Sequence, residues 1–231
     1  MSESPQFLML IPSALRRLID PRLRHVRAPR GRTIVGAGSR STDVFFVVEG
    51  EIQVLIYSPQ GREVSVRELG PGAVFGELAA LDGAPRSASV MATTEARLVV
   101  MSQTDFMACL AASPPAALWL LHHLAAEVRR LTGRVFELSA LNMQARLHCE
   151  LLRLARRGAD SELVISPAPT HAELANRIGS HREAVTREMR ALSQMNVIRN
   201  RRRRLEFLDL DHLERVVRRQ VGALDQPEKP S

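Results

Sequence analysis

Apolar positions follow two different rhythms along the chain. Between residues 26 and 100 they come in short β-type runs cut by glycine and proline. Residues 44–48 (VFFVV) stop at Glu49 and Gly50, residues 52–57 at 58–61 (SPQG), and residues 64–69 at 70–72 (GPG). Residues 88–92 and 96–101 complete the set. Short, evenly spaced strands with Gly/Pro turns predict an antiparallel sandwich or barrel-like roll, with 58–61 as a hairpin connection. Ahead of them, residues 12–19 read as a short helix.

After residue 101 the period becomes helical. Ser102 followed by Asp105 is a helix-start signal for a short helix to Leu110. Ser113, Pro114 and Pro115 open a longer one, since proline is tolerated in a first turn. In it Leu121, Leu124, Val128, Leu131, Val135 and Leu138 recur at alternating spacings of three and four. That is an a/d seam. Such a stripe also suits a helix lying on its own domain, but charged flanks at Glu127, Arg129, Arg130 and Arg134 favour a parallel partner helix and hence a homodimer. Gly133 interrupts the seam at some cost in helix propensity. Asn142 is placed to cap a new helix to residue 157, with Leu147, Leu151 and Leu154 on one face. A loop at 158–161 and a short strand at 163–166 follow.

Thr170/Glu173 and Ser180/Glu183 both read as capping boxes. Two short capped helices joined through Gly179 describe a helix-turn-helix. In the second helix Val185, Met189 and Leu192 share an inward face. Glu183, Arg187 and Arg190 lie opposite, with Thr186 at the edge and Arg182 in the first turn. An exposed Arg/Glu/Arg face at the start of a second helix suits the major groove of double-stranded DNA. Residues 196–199 and 205–208, with a basic turn through Arg201, Arg202 and Arg203, read as a wing whose arginines meet phosphate. A last helix spans 211–221 and a disordered tail 225–231.

Charge sharpens this picture. The formal net charge is +7, and Lys229 is the only lysine. Residues 177–204 hold nine arginines against Glu183 and Glu188, so this one segment accounts for the whole net charge. A basic surface confined to one small segment is a footprint of nucleic-acid binding. Cys109 and Cys149 are too few for a disulfide framework or a metal set. No run approaches the ~18 apolar residues of a membrane span, and residues 1–10 lack the features of a signal peptide. The expectation is a cytoplasmic protein with no metal. No paired carboxylates, nucleophile elbow or metal spacing suggests an enzyme.

The densest chemistry lies in residues 75–90 (FGELAALDGAPRSASV). Glu77 and Arg86 stand nine positions apart, with Asp82, Gly83 and Pro85 between them. Backbone N–H groups freed at a turn, next to an arginine, can hold a phosphate. A nearby carboxylate can accept from a sugar hydroxyl. The stretch resembles the phosphate-binding cassette of cyclic-nucleotide-binding domains. With the order β-roll, cassette, long helix and winged helix-turn-helix, residues 15–220 resemble the cyclic-AMP receptor protein/fumarate-nitrate regulator family of bacterial transcription factors.

The resemblance implies an α+β chain with four parts. These are a cyclic-nucleotide-binding β-roll over 1–112, a dimerisation helix over 113–141, a winged helix-turn-helix over 142–224, and the tail. It gives Glu77 to a ribose 2′-hydroxyl, Arg86 and Ser87 to the cyclic phosphate, and the backbone of Gly76 to Leu78 to sugar and phosphate, with Ala88 alongside. Two adjacent hydroxyl residues on the dimer helix meet adenine in the family; Leu131 and Thr132 stand there, so one hydroxyl is kept. Arg182, Glu183 and Arg187 match the positions that read a TGTGA half-site, while Ala184 replaces the usual threonine. Partners implied are an inverted-repeat operator and RNA polymerase. Cyclic AMP leads as effector and cyclic GMP follows. The alternatives are a family regulator with another effector (cyclic di-GMP, or haem through His25, His122 or His123) or none, and a cyclic-nucleotide sensor that does not bind DNA.

Overall fold

The structure is a computed structural model that describes residues 6–57, 63–158, 162–201 and 204–221. The expected hairpin turn at 58–61, the 225–231 tail, and Arg202 and Arg203 therefore lie outside the described residues. The chain forms two compact units, Met1–Val128 and Arg129–Ser231. No single described helix is long and apolar enough to cross a membrane.

The first unit starts with helices α1 (Gln6–Met9) and α2 (Ser13–Ile19). Eight strands follow: β1 (Arg24–Ala28), β2 (Thr33–Val35), β3 (Val44–Glu49), β4 (Ile52–Tyr57), β5 (Glu63–Leu69), β6 (Val74–Phe75), β7 (Ser89–Ala92) and β8 (Ala96–Met101). Helix α3 (Glu77–Asp82) separates β6 from β7. The strands form two antiparallel sheets, ordered β1-β8-β3-β6 and β2-β7-β4-β5. The unbroken VFFVV run is explained by burial on both faces of β3. Phe45 and Val47 join one apolar cluster with Ile52, Phe75 and Val90. Val44 and Phe46 join a second with Phe7, Phe106 and Leu120. Phe45 stacks on Phe75 at 4.8 Å.

Helix α4 (Gln103–Ala112) begins as expected, with the Ser102 side chain accepting from the Asp105 N–H. Helix α5 (Pro114–Ala140) carries the seam. Leu121, Val128, Leu131, Val135 and Leu138 are all exposed. Leu124 differs, packing partly against the unit's own core.

The second unit contains α6 (Met143–Leu154), β9 (Arg156–Arg157), β10 (Leu163–Ile165), α7 (His171–Arg177), α8 (Arg182–Gln194), β11 (Ile198–Arg201), β12 (Arg204–Phe207) and α9 (Leu210–Val221). Its sheet is ordered β11-β12-β10-β9. Asn142 caps α6 by accepting from the Ala145 N–H at 3.0 Å. The helix stops at Leu154, three residues short of the expectation, because Ala155 turns extended and Arg156–Arg157 pair with β10. Thr170 and Glu173 form a full capping box. The second expected box does not form. Helix α8 starts one residue later than the pattern suggested, with His181 at the N-cap and no side-chain capping bond. The Ser180 N–H closes the preceding turn on the Ala175 carbonyl at 2.9 Å, which pushes the helix start to Arg182.

Two polar networks brace this unit. Glu150, only 4% exposed, pairs with Arg134 at 3.6 Å and Arg177 at 3.4 Å, and with Arg153. Glu188, on the inner face of α8, bonds His148 at 2.8 Å and Gln144 at 2.7 Å, both on α6. The His148 bond holds the Glu188 carboxyl below its ordinary value of 4.5; burial opposes this, and Gln144 adds to it. A depressed folded pKa means that the unfolded chain binds more protons, so stability rises with pH. Glu188 therefore contributes fully above its ordinary value and loses that contribution as pH falls through the lower folded value. Thermal melts taken from neutral pH down to about pH 3 should show an acid-induced loss in the wild type that Glu188→Gln partly removes. Parallel acid profiles would refute this role.

Candidate functional site

In the first unit, β6 runs straight into the cassette. Gly76 sits at φ +85 and a Cβ there would lie 2.7 Å from the Asp43 carbonyl oxygen and collide with Arg86 Nη1. Only glycine both adopts this backbone and lets the guanidinium come so close. Arg86 is 5% exposed. Its Nε donates to Ser41 Oγ at 3.0 Å, Nη1 to the Gly76 carbonyl at 2.8 Å and Nη2 to the Asp43 carbonyl at 2.6 Å. The guanidinium also lies over the Phe45 ring, 5.7 Å from its centroid. Burial lowers the Arg86 pKa, and the Asp43 and Glu77 carboxylates oppose that shift. An arginine has five N–H donors. One on each terminal nitrogen thus has no partner among the described residues.

Glu77 opens α3 and is 8% exposed. The first backbone bond of that turn runs from the Ala80 N–H to the Gly76 carbonyl at 3.3 Å, so the Glu77 and Leu78 N–H groups precede the helix's own bonding. Leu78 and Ser87 are exposed and Ala88 half-buried. The fold thus gathers Gly76, Glu77, Leu78, Arg86, Ser87 and Ala88 around one turn-and-loop element. Thr132 is exposed on α5, in the other unit. Ser41 and Asp43 escaped the sequence reading, as did any place for His123 beside Glu77. The first two act on Arg86 through a hydroxyl and a backbone carbonyl, which no motif encodes. His123 enters that reading only as a haem alternative. It lies 3.7 Å from Glu77.

In the second unit, Val185, Met189 and Leu192 are buried as expected, together with Glu188. Arg182, Glu183, Thr186, Arg187 and Arg190 line one open groove on the outer side of α8. Thr186 is oriented by His171 Nδ1 at 2.9 Å and by donating to the Arg182 carbonyl at 2.9 Å. Burial and the nearby Arg182 and Arg190 lower the His171 pKa. Arg201 projects from the wing strand and pairs with Glu206 at 3.3 Å. A carboxylate between guanidinium groups, on a helix braced from behind, offers both donors and an acceptor to base edges.

Each of the two units contains a match to a known domain family. A family model described as a cyclic nucleotide-binding domain matches residues 25–113, and a Crp-like helix-turn-helix domain matches residues 145–216. The cyclic AMP receptor protein of Thermus thermophilus is 33% identical over 175 residues, covering 74% of this chain and 77% of that protein. The chain belongs to the CRP/FNR family of transcription factors. A CRP-like cAMP-activated global transcriptional regulator of Mycobacterium tuberculosis is 29% identical, covering 90% of this chain and 93% of that protein. The crystal structure of a CRP-family regulator from Thermus thermophilus superposes with a TM-score of 0.69 at 27% identity, covering 86% of this chain and 100% of that one. This CRP/FNR protein is therefore a transcription regulator, not an enzyme, with a cyclic-nucleotide-binding domain and a helix-turn-helix domain.

The Gly76 geometry sets a testable requirement. Gly76→Ala should lower the stability of the nucleotide-binding unit by roughly 1–3 kcal/mol, from φ strain and from displacement of Arg86. Urea unfolding measures it; an unchanged midpoint would show that Arg86 is not held as described.

Proposed function

We propose that this regulator is a homodimer switched by cyclic AMP, reading an inverted-repeat operator with α8. The observation that carries the effector reading is the buried Arg86 guanidinium, with two donors to spare, beside the Glu77 carboxylate. A buried anion requires a charged partner and several donors. Here Arg86, the exposed Ser87 hydroxyl and the N–H groups of Glu77 and Leu78 supply them for a cyclic phosphate. Glu77 supplies the acceptor for a ribose 2′-hydroxyl. The M. tuberculosis relative, named as cAMP-activated, supports the choice of cyclic AMP over cyclic GMP. Exposed seam residues Leu121, Val128, Leu131, Val135 and Leu138 support pairing of α5 with its own copy across a two-fold axis.

On DNA, Arg182 and Arg187 would each donate two bonds to a guanine, and Glu183 would accept from a cytosine amine. Arg201, Arg202 and Arg203 of the wing would meet phosphate. Two dimer-related α8 helices set about 34 Å apart would face half-sites one turn apart; the spacing follows the catabolite activator protein, a member of this family.

The test contrasts two variants in fluorescence anisotropy on TGTGA-type and random duplexes. Arg187→Ala should weaken the specific complex by roughly 1–3 kcal/mol and relax preference at one base pair. Arg201→Ala should weaken all sequences alike and make the salt dependence shallower by about one unit. Equal loss on specific and random DNA for Arg187→Ala would show that α8 does not read bases. Calorimetry with cyclic AMP, cyclic GMP and cyclic di-GMP in parallel should rank cyclic AMP first; no heat at millimolar nucleotide would overturn the effector reading.

A further inference from the structure

His123 stands on α5 against the cassette, within the first unit. Its Nε2 lies 3.7 Å from Glu77 Oε1, just beyond hydrogen-bond reach. That nitrogen is sealed from solvent and has no hydrogen-bond partner among the described residues. Buried polar atoms of this kind are rare and demand an explanation. The plane of the ring is set by its neighbours. The ring stacks on Trp119 with centroids 5.8 Å apart and planes 9° apart. Trp119 rests on Phe7 at 5.4 Å, and Phe7 rests on Phe46 at 5.4 Å and Phe106 at 5.2 Å. All three phenylalanines are fully buried. The aromatic core therefore aims the imidazole, and the carboxylate it faces is the one assigned to the ribose.

We propose that His123 is a positioning residue of the effector pocket, specific for nucleotides that carry a ribose 2′-hydroxyl. When that hydroxyl donates to one Glu77 oxygen, the other oxygen closes by about 0.5–1 Å onto the His123 Nε2–H. The sugar is then tied through Glu77 and His123 to α5, the helix that carries Leu121, Leu124 and Val128. No proton changes owner; a carboxylate with two oxygens accepts from two donors at once. The imidazole completes its hydrogen bonding only with ligand in place, so recognition of the 2′-hydroxyl and the setting of α5 become one event. The inference rests on the assignment of Glu77 to the ribose.

Calorimetry with cyclic AMP and its 2′-deoxy analogue separates this role from simple packing. His123→Leu keeps bulk against Trp119 and removes the donor; His123→Gln restores a donor. The Leu variant should bind cyclic AMP roughly tenfold more weakly, and the Gln variant should recover most of that loss. Against the 2′-deoxy analogue all three proteins should agree within about twofold, because the coupled hydroxyl is missing. Trp119, the only tryptophan, supplies a second readout: wild-type emission should shift with cyclic AMP and much less with the analogue. Equal weakening toward both nucleotides, or a Gln variant no better than Leu, would reduce His123 to a packing residue and overturn the inference. Unchanged affinity in the Leu variant would do the same. If the wild type binds no cyclic nucleotide at all, the effector reading itself falls, and this inference with it.

Discussion

A guanidinium taken out of water must be surrounded by acceptors, or its burial is prohibitive. Arg86 meets that demand with Ser41 Oγ and the carbonyls of Asp43 and Gly76. Asp43 immediately precedes β3, Gly76 lies between β6 and α3, and Arg86 lies between α3 and β7. One side chain thus joins three chain segments that are distant in sequence. The same contacts leave two guanidinium N–H donors without a partner among the described residues. In the proposed function the residue that fixes the fold locally also takes the phosphate. Its removal affects both roles, so binding data on Arg86 variants have meaning only beside a stability measurement.

The second unit solves a different problem. Helix α8 presents charged side chains on one face while remaining packed behind. Apolar packing by Val185, Met189 and Leu192 does part of this. Glu188 does the rest, since its two carboxylate oxygens are satisfied by His148 and Gln144 of a single neighbouring helix. Breaking such a buried bond strands the remaining partner, which makes the orientation of α8 stiff. The Glu150 cluster plays a comparable part, linking the C-terminal turns of α5 to α6 and α7.

The sequence made legible whatever depends on local period. Strands β3, β4, β5, β7 and β8, the Thr170 capping box and the inner face of α8 all came from spacing alone. Strand β1 did not, because its alternation of His25, Val26, Arg27 and Ala28 is too short to stand out; it forms by pairing with β8 along its length. Strands β2 and β6, of three and two residues, are too short to carry a period. The supposed Ser180 box failed because the turn at Gly179 uses the Ser180 N–H first. In the cassette, the Glu77/Arg86 pair was legible as a motif. Its supports at Ser41, Asp43 and His123 were not, because tertiary packing alone brings them near.

The central claim is that the nucleotide pocket controls the DNA-reading surface. Allosteric coupling is reciprocal, so it can be read from either site. The direct measurement is the Kd for an inverted-repeat duplex at fixed salt, with and without saturating cyclic AMP, paired with the Kd for cyclic AMP with and without the duplex. The expected result is a change of at least about fivefold in DNA affinity and the same factor in nucleotide affinity. Identical DNA affinity in the presence and absence of a nucleotide that demonstrably binds would contradict it.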